Sequence, residues 1–297
     1  MQDQAPPQPL VSVIVPCYNE EGAIQHTLAE LRNALASIPR YEIIVVNDGS
    51  KDRSRAILEQ AEREDPDLLV IHHPRNLGYG AALKTGIRKA SADLIAITDA
   101  DGTYPNDRLP ELIEACKDAD MIVGARTETY TKVSPIRAIP KAFLRRYASW
   151  LANIEIPDLN SGMRVFRKKV AERFLSILPD TFSFTTTITL AMLTNRYDVR
   201  YTPIGYSPRV GHSKIKPIRD TLRFLQLIIR TGMYFAPLRV LSPVIVILTL
   251  AFIANISYDV FVLKNLTESS LILLMFAMNT TIFALLADMI DKRSGSS

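Results

Sequence analysis

The residues of this chain best suited to chemistry are carboxylates that follow short apolar runs. Asp99-Ala100-Asp101 closes the run Asp93–Asp99. In an extended chain, residues two apart project to one side. Two carboxylates so arranged make a hard-oxygen site, suited to Mg2+ or Mn2+ that also binds phosphates. Asp99 and Asp101 are therefore the candidate metal ligands, and the tight turn Gly102-Thr103-Tyr104-Pro105 follows them. A second acid-bearing turn is Asn47-Asp48-Gly49-Ser50, where Asp48 can hydrogen-bond a base or a ribose. The same residues also make a simple turn with an N-cap. A third is Pro16-Cys17-Tyr18-Asn19-Glu20-Glu21, in which Pro16 stops a run, Tyr18 offers a ring and Glu20 an acceptor. Asn76-Leu77-Gly78-Tyr79-Gly80-Ala81 opens a helical pattern that contains Lys84. A glycine-rich helix start can hold phosphate. It is not G-x-G-x-x-G, and no such pattern follows the first apolar run, so a nicotinamide-binding reading fails its first test.

Elements that alternate strand and helix must position these turns. Val11–Pro16, Tyr41–Asn47, Leu68–His72, Asp93–Asp99 and Met121–Gly124 read as strands. Glu21–Ile38, Ser50–Glu64, Gly78–Ala90 and Leu109–Lys117 read as helices, with Asn19 and Ser50 as candidate N-caps. This order predicts an α/β fold with a largely parallel sheet and helices on both faces. Ligands of such sheets bind at the carboxyl ends of the strands, where the acids lie. Cys17 reads as a small buried thiol, and His26, His72 and His73 as surface or strand-end residues.

Composition narrows the class. The 297 residues are 47% hydrophobic and 22% charged, which excludes disordered and collagen-like chains. The net charge of +4 is too mild to argue for nucleic acid. Cys17 and Cys116 are too few for a disulfide scaffold or a cysteine zinc site. A mean hydropathy of +0.08 fits a soluble domain joined to a small membrane part. Residues 1–9 read as a disordered leader without a targeting signal.

The membrane part lies late in the chain. Val240–Leu263 and Leu271–Ile290 each hold one formal charge, Asp259 and Asp288, near their ends. Each is long enough to cross a hydrocarbon core of roughly 30 Å. The short loop Lys264–Ser270 makes them a hairpin. Arg230 and Arg239 precede the first span, and Lys292 and Arg293 follow the second. The positive-inside bias then puts both termini and the catalytic domain in the cytoplasm. Arg219, Arg223, Gln226 and Arg230 form one polar stripe of a basic amphipathic helix, and Arg137, Lys141 and Arg145 recur near Tyr147 and Trp150. Both segments suit a membrane surface. The expected organisation is a leader (1–9), a catalytic domain (10–217), an interfacial helix (218–237), a two-span hairpin (238–291) and a tail (292–297). The hairpin leaves lipid-facing surface open to homo-oligomer formation.

Taken in series, Val13 to Glu21, Val46 to Ser50 and Asp99-Ala100-Asp101 resemble the signatures of family 2 inverting glycosyltransferases with the GT-A fold. Gly124-Ala125-Arg126, Asp158 to Arg164 and Arg209-Val210-Gly211-His212-Ser213-Lys214 resemble the polyprenyl-phosphate branch of that family. The resemblance covers roughly Leu10 to Pro237. It implies that Pro16, Tyr18, Glu20, Asp48, Lys84, Asp99 and Ala100 bind the nucleotide, and that Asp99 and Asp101 hold Mg2+ or Mn2+ on the diphosphate. It implies that Arg126, Arg145, Ser149, Arg209, Ser213 and Lys214 gather the lipid phosphate, with Asp158, Ser161 and Gly162 on the sugar side. Asp99, Asp101, Arg126 and Arg209 are then the catalytic set. The implied reaction is inverting transfer of one sugar from a nucleotide-sugar, of GDP-mannose or UDP-glucose type, to dolichyl or undecaprenyl phosphate at the bilayer. The phosphate nucleophile is already ionised near neutral pH, so no strong general base is required. Two departures stand on the sugar side: Thr103 replaces a glutamine of the mannose-transferring relatives, and Phe184-Thr185-Thr186-Thr187 stands where many relatives carry an acid. The rival readings are a transferase using another lipid acceptor and a non-catalytic membrane scaffold. A processive synthase is disfavoured, because the single Trp150 lacks the Q-x-x-R-W context.

Overall fold

The computed structural model describes residues 9–127, 145–207, 226 and 229–294, with side chains up to Ile290. The apolar runs form a seven-stranded sheet: β1 (Val11–Cys17), β2 (Tyr41–Asn47), β3 (Leu68–His72), β4 (Leu94–Ile97), β5 (Met121–Ala125), β6 (Arg164–Arg167) and β7 (Val199–Pro203). Their order across the sheet is β3-β2-β1-β4-β6-β5-β7. All neighbours run parallel except β6, which lies antiparallel between β4 and β5. Leu, Ile and Val fill both faces of the central strands because helices cover both.

The helices are α1 (Ile24–Leu35), α2 (Ser54–Glu64), α3 (Tyr79–Lys89), α4 (Leu109–Ala115), α5 (145–152), α6 (Lys168–Phe174), α7 (Phe184–Thr194), α8 (229–235), α9 (Pro237–Tyr258) and α10 (Glu268–Ser294). Ile24, Leu28, Leu31 and Leu35 give α1 one apolar stripe, buried with Val11, Val13 and Val15 of β1. On the other face, Ala82, Leu83 and Ile87 of α3 pack with Ile14 and Ile44. The chain leaves β1 toward β2 on one side, then returns past it to form β4 on the other. The gap between β1 and β4 is therefore a topological switch point, where a crevice opens at the carboxyl ends.

Two expected caps are corrected. The side chain of Asn19 accepts the Lys51 N–H at 2.7 Å, and the Ser50 hydroxyl accepts the Asn19 N–H at 3.0 Å. The two loops interlock, so α1 starts at Ile24 and α2 at Ser54, and neither has a side-chain N-cap.

Beyond the sheet, Pro237–Leu263 and Glu268–Ile290 are long and apolar enough to cross a membrane. They run as a hairpin. Asp259 at the turn is not a stray charge in a span, because its carboxylate accepts the Thr267 N–H at 2.8 Å and the Thr267 and Ser270 hydroxyls at 2.7 Å. The interfacial stripe at Arg219 and Arg223 with the rest of 218–225 and 227–228, the residues Arg137 and Lys141, and the leader through residue 8 lie outside the described residues.

Close contact between α3 and β1 depends on Gly86. A Cβ there would stand 2.5 Å from Ile14 Cγ2. Gly86→Ala should destabilise the full chain by about 1–3 kcal/mol through overpacking. Combining it with Ile14→Ala, which removes Cγ2, should cost less than the sum of the two single changes. Additive losses in thermal or denaturant unfolding would mean that the contact does not limit the packing.

Candidate active site

The site begins where β4 ends. The strand stops at Ile97, so Asp99 and Asp101 lie in the turn after it, and strand alternation does not aim them. Side chains aim them instead. Asp99 Oδ1 accepts the Tyr79 hydroxyl from α3 at 2.9 Å. Its carboxylate packs on Gly162, where a Cβ would come within 2.9 Å of Oδ2. Asp101 Oδ1 accepts the Thr103 N–H at 3.2 Å and the Thr103 hydroxyl at 2.7 Å. Thr103 thus orients the second carboxylate. Two hard oxygen donors fit a divalent cation of the Mg2+ or Mn2+ kind. Among the described residues no group of three or more His, Cys, Asp or Glu side chains gathers as a cage. Mg2+ sites of that sort are completed by phosphate oxygens and water.

Tyrosines wall the crevice. The Tyr104 hydroxyl accepts the Gly162 N–H at 2.6 Å, and its ring meets Tyr206 edge-on at 5.2 Å. Burial, reinforced by the charge of Asp99, pushes the Tyr79 and Tyr104 phenols above their ordinary range. Both remain protonated across the physiological range and meet Asp99 and Gly162 as neutral polar groups. Tyr79 is stacked by Phe182 at 5.1 Å, and the Phe182 ring is 74% exposed.

Arg126 follows β5 and closes the opposite side. Its Nε and Nη2 donate to Asp158 Oδ2 and Oδ1 at 2.7 and 3.0 Å, and its backbone N–H also reaches Oδ2. The guanidinium lies 5.2 Å over the Tyr206 ring. Burial opposes both charges, yet the two-pronged bond prevails. It holds the Asp158 carboxyl below the usual carboxylate range and raises Arg126. Sequence reasoning assigned Arg126 to the acceptor and Asp158 to the sugar; the structure makes them one ion pair.

Beneath lies the last residue of the Asp158–Arg164 motif, to which sequence reasoning assigned no role of its own. Arg164, at the start of β6, is fully buried. Nη1 donates to the Thr185 carbonyl and the Thr189 hydroxyl at 3.0 Å, and Nη2 donates to the Ser161 carbonyl. Its sequence signal was its place in the Asp158–Arg164 motif. Tyr79 and Tyr104 were likewise visible only as members of turns.

Other candidates are engaged elsewhere. Asp48 Oδ1 bonds the His73 ring and the Leu77 N–H at 2.7 and 2.9 Å, and Oδ2 accepts the Gly78 N–H at 2.8 Å. His73 stands at the end of β3, directly after His72, one of the two places expected for it, and its largely buried side chain also bonds Thr85. Gly49 has φ +68, and a Cβ there would meet the Arg75 backbone at 2.4 Å, so the Asp48 turn presses on this loop. Lys84 pairs with Asp180 at 2.7 Å, and the Asp180 carbonyl takes the Ala81 N–H. The start of α3 is thus occupied by the protein's own backbone, which corrects its reading as a ready phosphate cradle. Pro16 is buried in β1 opposite Val46, and the buried Ala100 accepts the Thr27 hydroxyl through its carbonyl. Tyr18 is exposed at the rim, and Glu20 donates its N–H to Ser54 Oγ. Ser149 Oγ accepts the Ile156 N–H at 3.0 Å, and Arg145 is exposed on the same helix. Arg209, Ser213 and Lys214 lie outside the described residues.

The profile of the family described as "Glycosyl transferase family 2" matches residues 12–175, more than half of the chain. The chain belongs to that family. An undecaprenyl-phosphate 4-deoxy-4-formamido-L-arabinose transferase from Pseudomonas paraeruginosa is 29% identical over 241 residues, which cover 80% of this chain and 69% of that one. The low-salt glycan biosynthesis hexosyltransferase Agl6 from Haloferax volcanii is 27% identical, covering 74% and 53%. Among solved structures, glucosyl-3-phosphoglycerate synthase from Mycobacterium tuberculosis, in complex with Mn2+, UDP and phosphoglyceric acid, matches with a TM-score of 0.58. It is 14% identical and covers 75% of this chain and 78% of that one, a likeness of fold. The expected GT-A-like architecture is thereby borne out for this glycosyltransferase.

The Arg126–Asp158 pair gives the transferase a pH signature. A carboxyl held below its unfolded value stabilises fully above that value, about pH 4, and loses its contribution as pH falls through the folded one. The stability gap between wild type and Asp158→Asn should be constant above about pH 5 and shrink on acidification below about pH 4. A gap unchanged through that acid window would remove the ion pair as its cause.

Proposed function

We propose that this glycosyltransferase moves one sugar from a nucleotide-sugar to a polyprenyl phosphate, with inversion at the anomeric carbon, at the cytoplasmic face of a membrane. The observation that carries the reading is the Asp99 crevice on a domain joined to two membrane-length apolar helices. A water-soluble acceptor gives no reason for such an anchor. The named activity of one relative, an undecaprenyl-phosphate transferase, supports the same acceptor class, and the name of the other, a hexosyltransferase, supports sugar transfer.

Asp99 and Asp101 are the residues that would hold Mg2+ or Mn2+. The cation, when bound, offsets charge on the departing nucleoside diphosphate. The chain's own groups do the rest. Tyr79 and Thr103 fix the two carboxylates. Arg145 presents an exposed guanidinium on α5, while Arg126 lies beside the crevice already paired with Asp158 through Nε and Nη2. Arginine suits a phosphate because its planar fork binds two oxygens at once. An ionised phosphate oxygen needs no base to attack, so catalysis is positioning and charge stabilisation. One displacement from the face opposite the leaving group inverts the centre. The donor is of the UDP- or GDP-sugar type. The basic residues Arg230, Arg239, Lys292 and Arg293 favour a cytoplasmic location for both ends of the hairpin.

The deciding assay offers purified protein labelled UDP-glucose, GDP-mannose and UDP-N-acetylglucosamine in turn, with undecaprenyl phosphate and Mg2+ or Mn2+. Label should enter the organic phase with one donor. Asp101→Asn keeps an oxygen for the Thr103 bonds and removes one charge, so the turn should persist. Transfer should fall by on the order of a hundredfold or more. Near-normal turnover would remove the metal assignment, and label in no lipid product with any donor would sink the acceptor reading.

A further inference from the structure

The first span is bolted to the helix that carries two of the proposed acceptor residues. Ala148, Leu151 and Ala152 of α5 are buried in the main core, and Phe235 and Val240 at the foot of the span pack against the same core. A Cβ on Gly232 would meet Leu151 Cδ1 at 2.9 Å and Val240 Cγ2 at 2.8 Å, so α8 lies directly on α5. Phe235 meets Phe174 edge-on at 5.9 Å. One polar bond completes the junction: Arg239 Nη1 donates to the Leu151 carbonyl at 2.7 Å.

The position of Arg239 is unexpected from α9 alone. It stands in the first turn of that helix, whose amino end carries positive partial charge and disfavours a cation. The Leu151 carbonyl belongs to the last turn of α5, where carbonyls lack helical partners and the partial charge is negative. A guanidinium is well suited there. Arg239 is thus placed for α5 and against the preference of its own helix.

We infer that Arg239 is a positioning residue that locks α5 to the foot of the first span. The lock holds Arg145 and Ser149 at a fixed height over the bilayer, where the phosphate of a membrane-embedded lipid arrives. The inference rests on the polyprenyl-phosphate reading. It predicts that the bond matters for an acceptor presented by a membrane and little for one that diffuses freely.

The test compares wild type, Arg239→Leu and Arg239→Lys as full chains. Each is assayed with undecaprenyl phosphate in vesicles and with a short-chain, water-soluble polyprenyl phosphate. Arg239→Leu should raise KM for the vesicle acceptor about tenfold, the worth of one charged hydrogen bond, with kcat within about twofold. KM for the short acceptor and nucleotide affinity should stay within about twofold. Hydrogen exchange of the amides of 145–152 should speed up in Arg239→Leu, while β1 and β2 stay protected. Arg239→Lys, which keeps a charged N–H donor, should recover most of both effects. Unchanged exchange in 145–152, or equal loss on both acceptors and on nucleotide, would overturn the lock. Faster exchange in a protein whose wild type transfers to neither polyprenyl phosphate would remove the acceptor reading and, with it, the role given to the lock.

Discussion

A fully buried guanidinium organises this site. Arg164 sits in β6, the one antiparallel strand of the sheet, with no exposed surface. Burying an unpaired charge is costly, and the cost falls when every donor finds an oxygen. Two carbonyls and a hydroxyl take its terminal nitrogens, while Nε has no partner among the described residues. Burial pulls its pKa down, and the surrounding tyrosines and Asp158 favour the charged form. Those bonds fasten the turn at Ser161 to the amino end of α7. Gly162, the next residue, is therefore held where it can receive the Asp99 carboxylate. The crevice has its shape because β6 brings a cation in from the opposite direction to its neighbours.

From that anchor outward the site is a series of oriented carboxylates. Asp99 is held by Tyr79, Asp101 by Thr103, Asp158 by Arg126 and Asp48 by the His73–Gly78 loop. They come from three turns at the carboxyl side of the sheet, Asp99 and Asp101 sharing the one after β4, and each has a neighbour that fixes its direction before any ligand arrives. Groups oriented in advance need no reorganisation when charge develops at a reacting centre. The interlocked Asn19–Ser50 and Asn19–Lys51 bonds serve the same end on the rim, joining the turns after β1 and β2.

The sequence disclosed most of the scaffold and part of the site. β2 and β3 coincide with the apolar runs read for them, since uninterrupted Ile and Val between polar turns have few other solutions. The helix starts were misread because Asn19 and Ser50 were judged as local caps, and a contact between two loops claimed both side chains. The acid-bearing turns announced the crevice, but not which carboxylates are spoken for. Asp48 and Lys84 carry the right chemistry, yet His73 and Asp180, 25 and 96 residues away, engage them. β6 and β7 gave no clear pattern, because four or five residues with a buried arginine or alternating polar groups do not resemble a core strand. Arg164 could not be weighed until the fold had buried it.

The threonines of α7 bear on how the crevice works without an acid on that side. Thr185, Thr186 and Thr187 are buried, and their hydroxyls bond the Phe182 carbonyl, Asn160 Oδ1 and the Ser183 carbonyl. Their hydroxyl protons are thus spent inside the protein, and none is ionised near neutral pH. A carboxylate in this turn would stand close to Arg164, which already draws on the Thr185 carbonyl, and would compete with that bond. The neutral wall and the buried cation therefore belong together. A group that must lose a proton before attacking finds no acceptor on α7, whereas an oxygen that arrives ionised needs none. The departure at Thr185–Thr187 is in this respect consistent with a phosphate nucleophile, and it adds no further negative charge beside Arg164.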